Sequence, residues 1–386
     1  MGLLQNVKVK VFLQNTVFVL LTILNRYTKH NPNVVLFYIN TDLRESNKSL
    51  LEYMIRHNYQ KKYRIICSCN DPEKYKDKKI ENVKFTGRLG GIICFFKSSK
   101  VFYSIGKIPI EPAKDQTVMQ MWHGTPIKNA NEGWRKNHTW KHQHYTYLLC
   151  PSKHYAPVFS NLFSVPISKI YIGGYPRCDV LFKGSPNYNL GNYKKLIVWF
   201  PTFRKSNDHG LKELENCDVI VPVIKRKDFD YIDSFLKKIG VKVILKLHPM
   251  QEIGDFALTQ MDYFRLLSHN DFLSQGMDIY GLCSQSDAMI TDYSSICFDY
   301  LLLNRPIAFT EDDMEMYKEG RGFVFDNMDE YKPGFRIKDI NDFKKFCLDV
   351  AEDVDNYQKE RNRVLKLTND YCDGKFCKRV LEKMQI

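Results

Sequence analysis

Residues 289–300 read MITDYSSICFDY. An apolar run closes on Thr291 and Asp292, two serines follow, and apolar residues then resume at helical spacing. That order predicts a strand, a tight turn and a helix whose first turn carries hydroxyls. Backbone N–H groups and hydroxyls at such a turn form a place to hold phosphate. A single capping residue is ordinary and contributes about 1 kcal/mol. Thr291, Ser294 and Ser295 near one end exceed that need and favour an anion site.

Outward from this stretch, short apolar runs alternate with helical patterns. In the first half, strands are predicted at NVVLFYIN (33–40), YRIICSC (63–69), VKFTG (83–87), KVFYSIG (100–106), TVMQMWHGTP (117–126), YTYLLCPS (145–152) and KIYIGGYPR (169–177). SNKSLLEYMIRHN (46–58) predicts a helix with Ser46 as its N-cap, and GGIICFFKSS (90–99) a short one. FKGSPNYNLGNYKK (182–195) is rich in Gly, Pro, Asn and Lys and reads as a linker. The alternation then restarts through KLIVWFPTFR (195–204), DFDYIDSFLKKIG (228–240), VKVILKLHP (241–249), MDIYGLCSQSD (277–287), AMITD (288–292), YSSICFDYLLLN (293–304) and RPIAFT (305–310). Apolar strands alternating with helices imply parallel sheets covered on both faces. The expectation is therefore an α/β chain of two Rossmann-like domains, residues 1–186 and 187–386, facing a cleft. Ligands of such sheets bind beyond the carboxyl ends of the strands.

Composition sets the outer limits. The chain has 386 residues, 44% of them hydrophobic, and a net charge of +13, enough for two cored domains and a preference for anionic partners. Its eleven cysteines are scattered with no C-x-x-C pair, so zinc ribbons and disulfide frameworks are not expected, and a reducing cytoplasm fits best. VFLQNTVFVLLTIL (11–24) lacks a small-residue cleavage site and falls short of the roughly 20 residues that span a bilayer. It reads as a buried or membrane-surface helix.

The polar residues that could act chemically fall at predicted strand ends. MWHGTPIK (121–128) sets His123 beside a turn of Gly124, Thr125 and Pro126. FPTFRKS (200–206) offers Thr202 and Arg204, and LKLHP (245–249) offers Lys246 and His248. MITDYSS (289–295) adds Thr291, Asp292, Ser294 and Ser295, and GGYPRCD (173–179) places Arg177 before the linker. A lone histidine at a strand end is more often structural, but two in separate halves, each followed by turn residues, point to function. His138, His142, His144 and His154 crowd one basic, aromatic region, yet their spacing matches no common zinc pattern and no metal is expected. No P-loop, G-x-G-x-x-G fingerprint or G-x-S-x-G elbow is present, which argues against P-loop, NAD-dependent and α/β-hydrolase chemistry.

With these motifs in order the chain resembles the CDP-glycerol glycerophosphotransferase family, the teichoic-acid primases and polymerases with relatives in capsule synthesis. The resemblance runs from about residue 34 to 335, through LFYINTDLRESNKSLLEYM, WHGTPIK, GYPRCDVLF, FPTFRKS, LKLHP, DIYGLCSQSDAMITDYSSICFDYLLLNRPIAF and YKEGRGFVFD. It implies a GT-B architecture and transfer of a polyol phosphate from a CDP-polyol to a hydroxyl, with release of CMP and no cofactor. His123 matches the family's histidine assigned as general base; His248 matches a second, set against the pyrophosphate. Thr291, Ser294 and Ser295 would hold phosphate oxygens, and Arg177, Arg204 and Arg321 are candidate anion contacts. The implied partners are CDP-glycerol, a lipid-linked saccharide or polymer acceptor and an anionic membrane surface at the cytoplasmic face, with no nucleic acid.

Departures bear on the donor. PTFR stands where the family often has PTWR, and KPGFR (332–336) stands where PGP often follows the RG motif. The long extension of some polymerases is missing, so a primase, a short-chain transferase or a capsule enzyme is expected. The alternatives are a CDP-ribitol or other CDP-polyol transferase, and a GT-B glycosyltransferase using a nucleotide sugar. A binding module for membrane or nucleic acid, suggested by charge alone, would leave the strand-end cluster unexplained.

Overall fold

The computed structural model describes residues 16–39, 43–106, 108, 110–127, 144–184, 188–202, 221–247, 261–292, 294–311 and 323–386. Two compact units emerge, one from Met1–Gly124, Gly133–Asp179 and Asp373–Ile386, the other from Thr125–Glu132 and Val180–Cys372.

Unit one holds seven strands among the described residues: β1 (Asn31–Tyr38), β2 (Arg64–Ser68), β3 (Val83–Thr86), β4 (Ser98–Tyr103), β5 (Thr117–Gln120), β6 (Tyr147–Cys150) and β7 (Ile170–Ile172). They lie in the order β3-β2-β1-β4-β5-β6-β7 and every pairing is parallel. Val35, Leu36 and Phe37 of β1 are fully buried in succession, the mark of a strand covered on both faces, and Phe37 stacks on Phe102 at 5.3 Å. Around the sheet lie α1 (Val17–Tyr27), α2 (Glu45–Arg56), α3 (Arg88–Phe95) and α4 (Ala156–Phe163). Ser46 does not cap α2 as expected. Glu45 takes a left-handed conformation (φ +50°) and turns the chain into the helix two residues earlier, with Arg44 at the cap position and Ser46 buried in the first turn.

The described part of the amino-terminal apolar run is α1, and it is not a buried helix. Leu20 is 67% and Leu24 57% exposed, while Asn25 is the one buried side chain of the helix. Asn25 donates to Gln116 Oε1 at 2.6 Å and to the Glu111 carbonyl at 3.0 Å, and Gln116 Nε2 donates to the Phe95 and Ser98 carbonyls. A polar anchor therefore fixes α1 while its apolar side chains point outward. Among the described residues no helix is long and apolar enough to cross a membrane. No disulfide joins the described cysteines.

Unit two repeats the plan with β8 (Lys195–Phe200), β9 (Val241–Lys246), β10 (Phe264–Leu267), β11 (Ala288–Thr291), β12 (Ile307–Thr310) and β13 (Phe335–Ile337), ordered β10-β9-β8-β11-β12-β13 and parallel throughout. Among its helices are α5 (Phe229–Ile239), α6 (His269–Ser274), α7 (Ile279–Gln285), α8 (Ile296–Tyr300), α9 (Ile340–Ala351) and α10 (Gln358–Thr368). Phe229, Ile232 and Leu236 recur at helical spacing on α5 and are buried, and Gly240 supplies the left-handed stop at φ +73°. Fully buried Trp199 stacks on Phe343 at 5.6 Å in the centre of this core.

The last helix, α11 (Phe376–Lys383), lies in unit one, although the sequence division grouped it with the second half. The reason is a clamp. Asp179, 3% exposed, accepts the Phe376 N–H at 2.7 Å and the Cys377 N–H at 3.1 Å, capping α11 from 197 residues away. Gly174 (φ +69°) lies so close that a Cβ there would meet Phe376 Cδ1 at 2.4 Å. Half of GGYPRCD is thus a docking surface for the chain end. Asp179→Ala should cost about 2–3 kcal/mol by leaving two buried N–H groups without an acceptor. Urea unfolding, with hydrogen exchange across α11, measures this; unchanged protection there would contradict the clamp.

Candidate functional site

Parallel strands bring every carboxyl end to one edge of a sheet, and ligands bind where the strand order reverses. In unit two that point lies between β8 and β11. Asp292, 1% exposed, sits just past β11, and its Oδ2 accepts both the backbone N–H and the hydroxyl of Thr202, each at 2.7 Å. One carboxylate oxygen therefore ties together the two loops that flank the switch point. Thr291 is fully buried and donates to the Phe200 carbonyl at 3.0 Å, which fastens β11 to β8 a residue earlier. Its hydroxyl is committed to the sheet, and Ser294 and Ser295 remain half-buried at the start of α8.

That helix is shorter than the sequence pattern predicts. Five α-helical residues pass into a 3-10 turn at Leu301–Leu303, and Asn304 at φ +49° ends it. What α8 lacks in length it gains in bracing. Asp299, 2% exposed, accepts the Tyr280 hydroxyl at 2.6 Å, and Asn369 donates to the Phe298 carbonyl at 3.0 Å. At the tip of β9, Lys246 is 7% exposed, donates to the Leu247 carbonyl at 3.2 Å and lies 5.5 Å above the Phe272 ring. Burial lowers its pKa to about 8, so it stays mostly cationic at neutral pH.

In unit one the chain leaves β5 into Trp122, a non-glycine residue at φ +54°. Gln120, fully buried, accepts the Trp122 N–H on Oε1 at 3.1 Å. The Trp122 ring meets Phe163 edge-on at 4.6 Å and lies 3.9 Å from the His123 ring. His123 itself is exposed to solvent, with the Trp122 ring packed beside it. The protein packed around it, with the Arg177 and Arg44 guanidiniums acting in the same sense, lowers its pKa below the ordinary imidazole value of 6.5. Exposure tempers the penalty, so the direction governs its chemistry: the imidazole is neutral at neutral pH.

Arg177 is 1% exposed, stacks on Tyr175 at 4.3 Å and has Glu45 Oε2 at 4.0 Å. Gly124 and Thr125 follow His123 and are both buried; Thr125 begins the second unit's segment, where the Ile127 carbonyl accepts the Val324 N–H at 2.9 Å. Among the expected residues, Thr202, Thr291, Asp292, Ser294 and Ser295 share the edge of one sheet, with Lys246 at the end of neighbouring β9, and His123 and Arg177 belong to the other unit. Arg204, His248 and Arg321 lie outside the described residues. Sequence reasoning missed Gln120, Arg44, Glu45 and Asp299. All four lie within stretches quoted above, but nothing in the pattern marked them. Among the described residues no group of His, Cys, Asp and Glu converges on a metal site.

Comparison with known proteins gives these geometries a context. The model of the family "CDP-Glycerol:Poly(glycerophosphate) glycerophosphotransferase" matches residues 20–385. The chain is 24% identical over 383 residues to the teichoic acid poly(glycerol phosphate) polymerase of Bacillus spizizenii, covering 92% of this chain and 88% of that one. It is 27% identical over 301 residues to the teichoic acid glycerol-phosphate transferase of Staphylococcus aureus, covering 69% and 70%. Among solved structures the wall teichoic acid polymerase TagF superposes with a TM-score of 0.76 over 98% of both chains at 23% identity, a likeness of fold.

The Asp292–Thr202 tie is open to test. Thr202→Val removes one of its two bonds and should cost about 1 kcal/mol, and Asp292→Ala about 2–3 kcal/mol. The double variant should fall short of their sum by at least about 0.5 kcal/mol, since the residues share the interaction. Additive losses in urea unfolding would mean that the tie carries no energy of its own.

Proposed function

The chain belongs to the CDP-glycerol:poly(glycerophosphate) glycerophosphotransferase family, and from that premise we propose how its residues divide the reaction. The acceptor hydroxyl attacks the phosphorus that bears glycerol in CDP-glycerol. A new P–O bond forms, the pyrophosphate P–O bond breaks, CMP leaves, and the hydroxyl proton passes to His123. Phosphoryl transfer of this kind asks for positioning and charge neutralisation more than covalent help. Ser294, Ser295 and Lys246 would meet the donor's phosphates, with Arg177 a further anion contact. Thr202, Asp292 and Thr291 would act by holding the loops, and Arg204, His248 and Arg321 are assigned to the same anion by motif alone.

The observation that carries this reading is His123, an exposed imidazole held past the end of β5 beside the strained Trp122, its pKa lowered by the surrounding protein and two guanidiniums. A base must be unprotonated to accept a proton. The depressed pKa keeps it so at neutral pH and below, and the same positive surroundings favour an anionic substrate.

Two finer assignments follow the same proposal. The acceptor is a lipid-linked saccharide or growing polymer, and the enzyme works at the cytoplasmic face of the membrane as a peripheral protein. The outward Leu20, Ile23 and Leu24 of α1, with exposed Leu89 and Ile93 of α3, support contact with lipid, and the +13 charge supports an anionic surface. Gln116 joins the two helices, since it bonds both Asn25 and the Phe95 carbonyl at the end of α3.

Three outcomes are expected. Offered CDP-glycerol, CDP-ribitol and common UDP- and GDP-sugars with bacterial membranes as acceptor, the enzyme should release CMP from CDP-glycerol; CMP from CDP-ribitol alone would change the donor, and UDP or GDP release would replace the reaction class. His123→Ala should lower kcat by at least about 100-fold, and the acid limb of kcat/KM should lie below the 6.5 of an ordinary imidazole because the folded site protonates only at lower pH. A limb at or above that value would remove His123 as the base. Leu20→Glu with Leu24→Glu should abolish flotation with vesicles containing anionic lipid while the fold is retained; full flotation would exclude α1 from the contact.

A further inference from the structure

We propose that Gln120 is the positioning residue of His123, the group that holds the imidazole in its working place. The turn after β5 is held against its own preference. Trp122 sits at φ +54°, a left-handed conformation that an L-residue with a side chain adopts only at a cost, and it is immediately followed by His123. An extended Trp122 would redirect the next side chain, so the site depends on whatever keeps this residue in place.

Two contacts do so. Phe163 receives the indole edge-on at 4.6 Å, and Gln120 Oε1 accepts the Trp122 N–H at 3.1 Å. The amide orientation is fixed by that bond, because an N–H requires an oxygen opposite it. Gln120 Nε2 is then left buried with no hydrogen-bond partner among the described residues, on a side chain that is 0% exposed. A buried unpaired donor is a standing cost that a leucine or methionine of like volume would avoid. A side chain serving only the core would gain by such a replacement, whereas one that must present an oxygen to Trp122 would not.

This inference rests on His123 acting in catalysis, but its geometric part does not, so the test reads both. Gln120→Leu keeps the volume and removes the acceptor. Its kcat for CMP release should fall at least about tenfold with the KM for CDP-glycerol within about twofold, the pattern of a lost alignment. In an NMR titration of the ring, His123 should protonate at a higher pH than in the parent enzyme, as the ring moves out of its crowded place and away from Arg177 and Arg44. Gln120→Glu, which retains an oxygen for the Trp122 N–H, should keep a kcat at least about fivefold above that of Gln120→Leu. An unmoved His123 titration in Gln120→Leu, or equal losses in the two variants, would overturn the proposal. Should Gln120→Leu fail to fold, Trp122→Gly supplies the background, because glycine adopts the left-handed turn without a pin. Adding Gln120→Leu to it should leave the His123 titration in place, and a further upward shift there would count against Gln120. If the parent enzyme released no CMP, the reaction assignment would fail while the titration still decided the role of Gln120.

Discussion

Sheets whose strands all run one way have a single edge at which every strand ends, and this constraint organises the molecule. Buried runs such as Val35–Phe37 and Val243–Leu245 leave no polar face for solvent, so helices must cover both sides and each connection must cross over. The polar residues that cannot enter those runs collect where the strands stop. In unit two the two strands at the order reversal would send their loops apart, and Asp292 opposes this with one oxygen shared between two Thr202 donors. Those two donors partly offset the cost of burying the carboxyl at 1% exposure.

The two units prepare their edges differently. Unit two relies on satisfied hydrogen bonds: Thr291 to Phe200, Thr202 to Asp292, Tyr280 to Asp299. Unit one adds strained backbone beside its buried charge. Glu45 and Trp122 are both left-handed, and Arg177 lies buried between the Tyr175 ring and Glu45. At 4.0 Å the Glu45 carboxylate only partly offsets the guanidinium, which leaves a positive field at His123. Strained backbone beside a titratable group in a field of fixed sign is the expected signature of a prepared site and not of a packing core.

The fold was largely legible because strand-length apolar runs carry their own signal. β10 and β13 escaped it: Phe264–Leu267 and Phe335–Ile337 are short edge strands with an arginine inside, so neither reads as a buried run. The place of α11 was hidden for another reason. Its cap, Asp179, stands 197 residues away, and no local pattern encodes such a pair. The site divides in the same way. Residue types at strand ends marked loops that the fold does bring to the sheet edges, but not the work done by each side chain. Thr291 looked like a phosphate donor and is spent on Phe200, while Gln120 looked like strand and supports Trp122. Spacing shows which residues share an edge; only three-dimensional contacts show which donors are already used.

The burial of charge follows a related rule. Several cations that enter the cores bring acidic partners: Arg361 with Asp355, Lys332 with Glu311 at 2.6 Å, Lys242 with Asp262 at 3.0 Å. Each pair is locally neutral, as burial demands. The amino-terminal helix shows the complementary choice. Had hydrophobic contact held α1 in place, its leucines would be buried and unusable elsewhere. Asn25 and Gln116 hold it through hydrogen bonds instead, which leaves Leu20 and Leu24 outward at 67% and 57% exposure. A polar anchor beneath an apolar face is costly for a helix with nothing to meet and economical for one that meets lipid.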